Sequence, residues 1–263
     1  MNGILTSASR WLVRRPGYML LVGPDEALAQ EPPQRFRNAW VGVMLLSIAW
    51  GIVSAGLWRT ALNAKTYTTI PFVPVAVVVI PMLLWLYRRC AGSLSRLLCG
   101  QQAAEQAVGA GVIVGVVVLA LLELKWPDRL GSPQELPEAW KWLWPEILYR
   151  ALIVAPVWGG WAMLITCQFC RCREQTEPAV VAFARGCGPL AAAVCLAPPL
   201  TATLVYFDFL GWARVTLAGV TALAALGGGL AFCRLSGGLR RQALLAVNLL
   251  TQIVFLLGYL MTR

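Results

Sequence analysis

Seven long apolar segments take up most of this chain, and few folds can accommodate them. The hydrocarbon core of a bilayer is crossed by about 20 apolar residues in a helix, and segments of that kind run over 38–58, 70–87, 107–124, 149–169, 188–210, 213–233 and 242–261. The fold expected is all-α: a polytopic membrane bundle of about seven transmembrane helices, forming a single integral membrane domain over 1–263. Residues 1–37 precede the first span as a polar segment. They carry Pro24, Pro32 and Pro33 in place of a short basic leader, so the first span is expected to be retained.

The loops between the segments alternate in basic density. Arg10, Arg14, Arg15, Arg35, Arg37, Arg88, Arg89, Arg96, Arg171, Arg173, Arg185, Arg234, Arg240 and Arg241 fall on one side, fourteen of the 22 Lys and Arg. Excess Lys and Arg stays in the cytoplasm, which places the N-terminus and the 1–37 segment there and implies a multi-pass protein of a bacterial inner membrane. Hydrophobic residues make up 59% of the chain, charged residues 13%, and mean hydropathy is +0.67, values outside the range of a soluble domain. The net charge of +10 therefore reads as membrane-edge arginines facing anionic headgroups, not as a nucleic-acid surface. A phosphorylated substrate is the other anion such a surface attracts.

Chemistry is restricted further by what the chain lacks. With no His, an imidazole base, a Ser-His or Cys-His pair and a His-ligated metal are all excluded. The carboxylates Glu123, Asp128, Glu135, Glu138, Glu146 and Asp208 fall at helix ends or loops, and none of the chain's acids lies mid-span. A proton- or cation-coupled permease usually carries one there. Cys167, Cys170 and Cys172 have a spacing that thiolate metal sites use, but further ligands are not evident and ordinary packing explains them as well.

Small residues recur inside the spans. Gly51 and Ala55, Gly111 and Gly115, and Gly227 to Gly229 allow close helix approach. Arg241, Leu245, Asn248 and Gln252 follow steps of 4, 3 and 4, which place them on one face of the last span. Trp140, Trp142 and Trp144, between Pro137 and Pro145, read as an interfacial aromatic belt.

Three stretches carry a family resemblance. The fourth span reads Ala155-Pro156-Val157-Trp158-Gly159-Gly160-Trp161-Ala162-Met163, close to A-P-x-x-G-R-W-A-M, with the basic loop Arg171, Arg173, Glu174 after it. The start of the last span, Gly237-Gly238-Leu239-Arg240-Arg241-Gln242 running on to Ala246, Leu249 and Gln252, keeps the register of G-G-x-T-G-D-x-x-G-A-x-x-E-x-x-E. Val108-Gly109-Ala110-Gly111-Val112 is a third, weaker match. In these stretches the chain resembles the cobalamin synthase family, membrane-embedded adenosylcobinamide-GDP ribazoletransferases. The resemblance implies transfer of a nucleotide-activated corrinoid to alpha-ribazole or its phosphate with release of GMP, using magnesium.

The departures fall where that family does its chemistry. The acidic loop between the second and third helices is replaced by Cys90-Ala91-Gly92-Ser93-Leu94-Ser95-Arg96-Leu97-Leu98-Cys99-Gly100, without a carboxylate. The last motif's Asp falls on Gln242, its two Glu on Leu249 and Gln252, and the Arg of the fourth-span motif on Gly160. Magnesium takes hard oxygen ligands, usually carboxylates plus substrate phosphates, so the cofactor implied by the resemblance has lost its ligands and no cofactor is intact.

No catalytic residue and no metal ligand is assigned. Arg96, Arg171, Arg173, Gly237, Gly238, Arg240 and Arg241 are the candidates for a cytoplasmic phosphate site, since guanidinium pairs well with phosphate oxygens. The alternative reading of these arginines is as membrane-edge anchors. Asn248 and Gln252 form a polar face on the last span. Two functional classes stay open: a divergent ribazoletransferase, and a catalytically inactive homologue that keeps the scaffold to bind corrinoid, lipid or a partner subunit. A permease is the third and less favoured. Expected partners are membrane lipids, a corrinoid nucleotide and other membrane subunits, not nucleic acid.

Overall fold

The computed structural model describes residues 16–23, 25–67, 88–99, 109–113, 115–116 and 147–262. Among these residues secondary structure is helical throughout, with no strand. Two short helices, α1 (Pro16–Leu21) and α2 (Asp25–Gln30), and a 3-10 turn at Pro33–Phe36 lead into α3 (Ala39–Tyr67). Residues 88–99 form α4. Then come α5 (Ile147–Phe169), α6 (Pro178–Gly186), α7 (Pro189–Val194), α8 (Ala197–Tyr206), a 3-10 turn at Asp208–Leu210, α9 (Ala213–Leu235) and α10 (Arg241–Thr262).

Five stretches are helical, long and apolar enough to cross a membrane: Ala39–Leu57, Tyr149–Phe169, Pro189–Tyr206, Ala213–Leu235 and Arg241–Thr262. They are the mark of a multi-pass membrane protein and match the segments read at 38–58, 149–169, 188–210, 213–233 and 242–261. The segment at 70–87, most of the one at 107–124 and the Trp140, Trp142, Trp144 belt lie outside the described residues.

Helix α5 is the hub, with 78% of its most apolar stretch buried against 33% for α3. Antiparallel α3 and α10 pack on two of its sides, and α9 runs parallel to it. Small residues set the spacing. A Cβ on Gly51 would collide with the Ile153 carbonyl of α5, and one on Gly160 with the Ser47 hydroxyl of α3. One on Gly159 would lie 2.8 Å from both the Asn248 oxygen and Gln252 Nε2 of α10. An arginine, which the resembled family carries at the position of Gly160, has no room there.

The segment read at 188–210 is broken. Pro198 and Pro199 lack the N–H groups needed to continue α7, so the chain turns at Cys195 and Leu196 and restarts as α8. Both pieces lean on α5: the Trp158 indole donates to Thr203 Oγ1 at 2.9 Å and Trp161 to the Ala192 oxygen at 3.0 Å. At the end of α5 where Tyr149 lies, fully buried Phe207 stacks on Phe255 and Tyr259 of α10, with ring centres 5.8 and 5.1 Å away.

The opposite end carries α1. Gly17 lies against the first turn of α3, where a Cβ would come 2.6 Å from the Gly42 carbonyl carbon. Residues 16–36 are thus folded onto the bundle, with Met19, Leu20, Leu28 and Phe36 buried.

Candidate anion-binding cleft

The end of the bundle that carries α1 opens into a cleft. Helix α4 supplies half of its lining residues because it is two-faced: Cys90, Ala91, Leu94 and Ser95 are buried, while Arg88, Arg89, Gly92, Ser93 and Arg96 line the cleft. The two sets alternate in steps that keep each on one side of a helix. Asp25, Glu177, Arg241, Gln242 and Leu245 complete the lining of a cavity of about 480 Å³, within the roughly 300–1,000 Å³ range of small-molecule sites. Among the described lining residues four guanidiniums stand with two carboxylates, an excess of basic groups.

Arg241 is the fixed point of this wall. Its side chain is 3% exposed and ties the first residue of α10 to the end of α1. Nε donates to the Leu20 oxygen at 2.8 Å, Nη2 to the Met19 oxygen at 2.8 Å and the Gly23 oxygen at 2.6 Å, and Nη1 to Asp25 Oδ1. These acceptors include carbonyls that a helix C-terminus leaves without intrahelical partners, and they take four of the five donors of the guanidinium. Asp25 reaches the other way too, with its second oxygen 3.9 Å from Arg89. Glu177, just before α6, accepts the Arg241 backbone N–H at 3.4 Å. Beneath them, burial pushes the Cys90 thiol up to about 12, only partly opposed by the charge of Arg241.

The candidates named from sequence divide into three groups. Arg96 and Arg241 meet in the cleft. Arg171, Arg173, Gly237, Gly238 and Arg240 belong to two adjoining loops, residues 170–177 and 236–240, that lock together beside it. The Leu239 N–H donates to the Arg171 oxygen at 3.0 Å, and Arg240 donates to Gln175 Oε1 at 2.5 Å. Gly238, at φ 141°, has its missing Cβ position 3.1 Å from Arg173 Cγ, so the arginine stem lies over it. Gly237 and Gly238 donate their N–H groups to the oxygens of Arg234 and Cys233. This turn ends α9 and has its backbone donors satisfied by the protein itself.

Asn248 and Gln252 form the third group. They share the face of α10 that the spacing indicated, but they line a separate cavity of about 40 Å³ with Ser47, Trp50 and Pro156. That volume suits a few waters at most. Gln252 donates to Asn248 Oδ1 at 2.6 Å, and Asn248 to Met163 Sδ of α5 at 3.4 Å. The pair bonds α10 internally and to α5, as polar side chains do between membrane helices.

Asp25, Arg88, Arg89 and Glu177 belong to the cleft and were not among the sequence candidates. Arg88, Arg89 and Arg96 carried a signal, because their spacing with Gly92 and Ser93 marks one helical face. Asp25 and Glu177 carried none, since distant folding brings them in.

The cleft's residues do not fit a magnesium ion. Among the described residues it offers two carboxylates, Asp25 and Glu177, each with one oxygen bonded to Arg241, and lines them with three more arginines, whereas magnesium favours carboxylate or phosphate oxygens without competing cations. Positions 242 and 252, where the resembled family has acids, are ten residues apart and so about 15 Å apart along the helix, opening on different cavities. Comparison with family models, with curated proteins and with solved structures gave no match.

Proposed function

We propose that this is a multi-pass membrane protein that binds a phosphate-bearing anion in the arginine cleft without metal-assisted catalysis. The observation that carries the reading is the convergence of Arg88, Arg89, Arg96 and Arg241 on one 480 Å³ cavity whose two carboxylates are already engaged. In this reading Arg241 shapes the wall, and Arg88 and Arg96 on α4 meet the phosphate oxygens. Seven spans, a cytoplasmic N-terminus and a bacterial inner membrane belong to the same proposal, on the strength of the loop arginines.

Binding of GDP and of inorganic pyrophosphate to the purified protein in a zwitterionic detergent, followed by calorimetry, tests it. Saturable binding that weakens in Arg96→Ala supports the cleft; absence of saturable binding, or binding indifferent to Arg96 and Arg88, overturns it.

A second reading, the ribazoletransferase implied by the resemblance, draws support from Gln242. The motif's Asp falls on this residue, and it lines the cleft. Joining of adenosylcobinamide-GDP to alpha-ribazole with release of GMP, dependent on magnesium, would establish that reading in place of the first.

A further inference from the structure

The cysteines at the same end of the bundle form an arrangement that anion binding does not use. Helices α5 and α9 run parallel and meet where Thr166 fills the space a Cβ on Gly229 would take. One turn further along each helix come Cys170 and Cys233. On parallel helices the same step of four residues brings these two side chains together as it does Thr166 and Gly229. Cys170 Sγ agrees with this placement by lying 3.6 Å from the Gly229 oxygen, the carbonyl that helix geometry aims at the N–H of Cys233.

The two segments stay joined beyond the thiols. Leu239 donates to the Arg171 oxygen at 3.0 Å, while Gly238 closes the end of α9 on the Cys233 oxygen at 2.8 Å. The cysteines are therefore held in place on both sides. Cys233 is buried, Cys170 is half-buried and Cys172 is exposed. A hydrogen bond from Cys233 also holds the Cys170 thiol below its ordinary value, against the smaller opposing effect of burial.

We infer that Cys170 and Cys233 are a peroxide-oxidisable dithiol that forms a reversible disulfide between the ends of α5 and α9. The Cys170 thiolate attacks one oxygen of hydrogen peroxide. The O–O bond breaks, and hydroxide leaves and takes up a proton as water, giving a sulfenic acid on Cys170. The Cys233 sulfur then attacks the Cys170 sulfur; the S–O bond breaks, and the hydroxyl leaves with the Cys233 proton as a second water. Two thiols are oxidised and one peroxide is reduced. Its partial exposure, with the hydrogen bond from Cys233 that favours its thiolate, selects Cys170 as the attacking group, and the buried neighbour resolves it. The bond would staple the two loops that present Glu177 and Arg241 to the cleft.

The test uses the full-length protein in detergent, exposed to graded hydrogen peroxide, quenched with N-ethylmaleimide and mapped by peptide mass spectrometry. The expected product is a Cys170–Cys233 crosslinked peptide that dithiothreitol abolishes. It should persist in Cys172→Ser. In Cys233→Ser a sulfenic acid on Cys170 should instead accumulate and be trapped by dimedone. Full alkylation of both Cys170 and Cys233 in the peroxide-treated wild type overturns the inference, as does a crosslink in which Cys172 replaces either partner. The wild-type map decides the question even if a variant fails to fold.

Discussion

Both ends of the bundle use arginine to satisfy helix C-terminal carbonyls, yet one end is closed and the other open. At the closed end Arg150 donates to the Tyr206 oxygen at 2.7 Å, and Arg214 to the Leu204 oxygen at 2.6 Å while pairing with Asp208. These bonds cap α8, and buried Phe207 seals the space beneath against Phe255 and Tyr259. At the open end Arg241 does the same service for α1, but its partners come from the far end of the chain, and further arginines line a cavity among the described residues. The lesson is that a buried arginine alone does not mark a binding site. What distinguishes the two ends is the lining: aromatic rings in one case, an excess of basic groups among the described residues in the other.

The sharpest way to break this comparison is to remove what each end depends on. Phe207→Ala should cost about 3–5 kcal/mol, the range for losing a buried aromatic, seen as a lower thermal unfolding midpoint in detergent. Arg241→Ala should come next, costing about 1–3 kcal/mol for a buried carbonyl of Met19, Leu20 or Gly23 left without its donor, while exposed Asp25 adds little. Its signature should differ, because limited proteolysis should cut first within residues 16–36, which lose their anchor. Arg241→Lys should recover only part of the loss, as an ammonium cannot present a planar fork of donors to four acceptors. If Arg241→Ala left the N-terminal segment protected, the two ends would be more alike than described.

Smaller effects sharpen the contrast. Arg96→Ala should weaken pyrophosphate binding by about 1.5–3 kcal/mol, the worth of a charged hydrogen bond, with the unfolding midpoint nearly unchanged. Arg214→Ala should cost about 0.5–1.5 kcal/mol, the net worth of its bond to the Leu204 carbonyl, with the exposed Asp208 pair adding little. It should leave anion binding untouched; a binding defect there would mean that the closed end contributes to the site.

The spans at 38–58, 149–169, 213–233 and 242–261 were legible because membrane crossing leaves a composition signal that needs no partner. The same holds for the shared face of Asn248 and Gln252, which follows from helix geometry alone. The break at Cys195 and Leu196 was written in Pro198 and Pro199, but an unbroken apolar stretch masked it. The small residues were only half informative. Gly51, Gly159, Gly160 and Gly229 mark close contacts, while a Cβ on Gly111, Gly115 or Gly227 would meet nothing within 4 Å among the described residues, and nothing local separates the two kinds. The docking of α1 was not legible at all, since it rests on Arg241, more than 200 residues away. The cleft was half visible for the same reason: α4 shows its basic face, whereas Asp25 and Glu177 acquire their place only when the chain has folded.

Gly159 and Gly160 are neighbours, yet they receive different helices, α10 and α3. Helix α3 precedes α5 in the chain and α10 follows it, so the two sides of this joint close at different times during synthesis. The socket at Gly160 can take Ser47 as soon as α5 enters the bilayer, while the one at Gly159 faces lipid until the α9–α10 hairpin has been made. Chain order thus makes the two partners of one dipeptide available at different times: Ser47 of α3 before α5 is made, and Asn248 and Gln252 of α10 only after it.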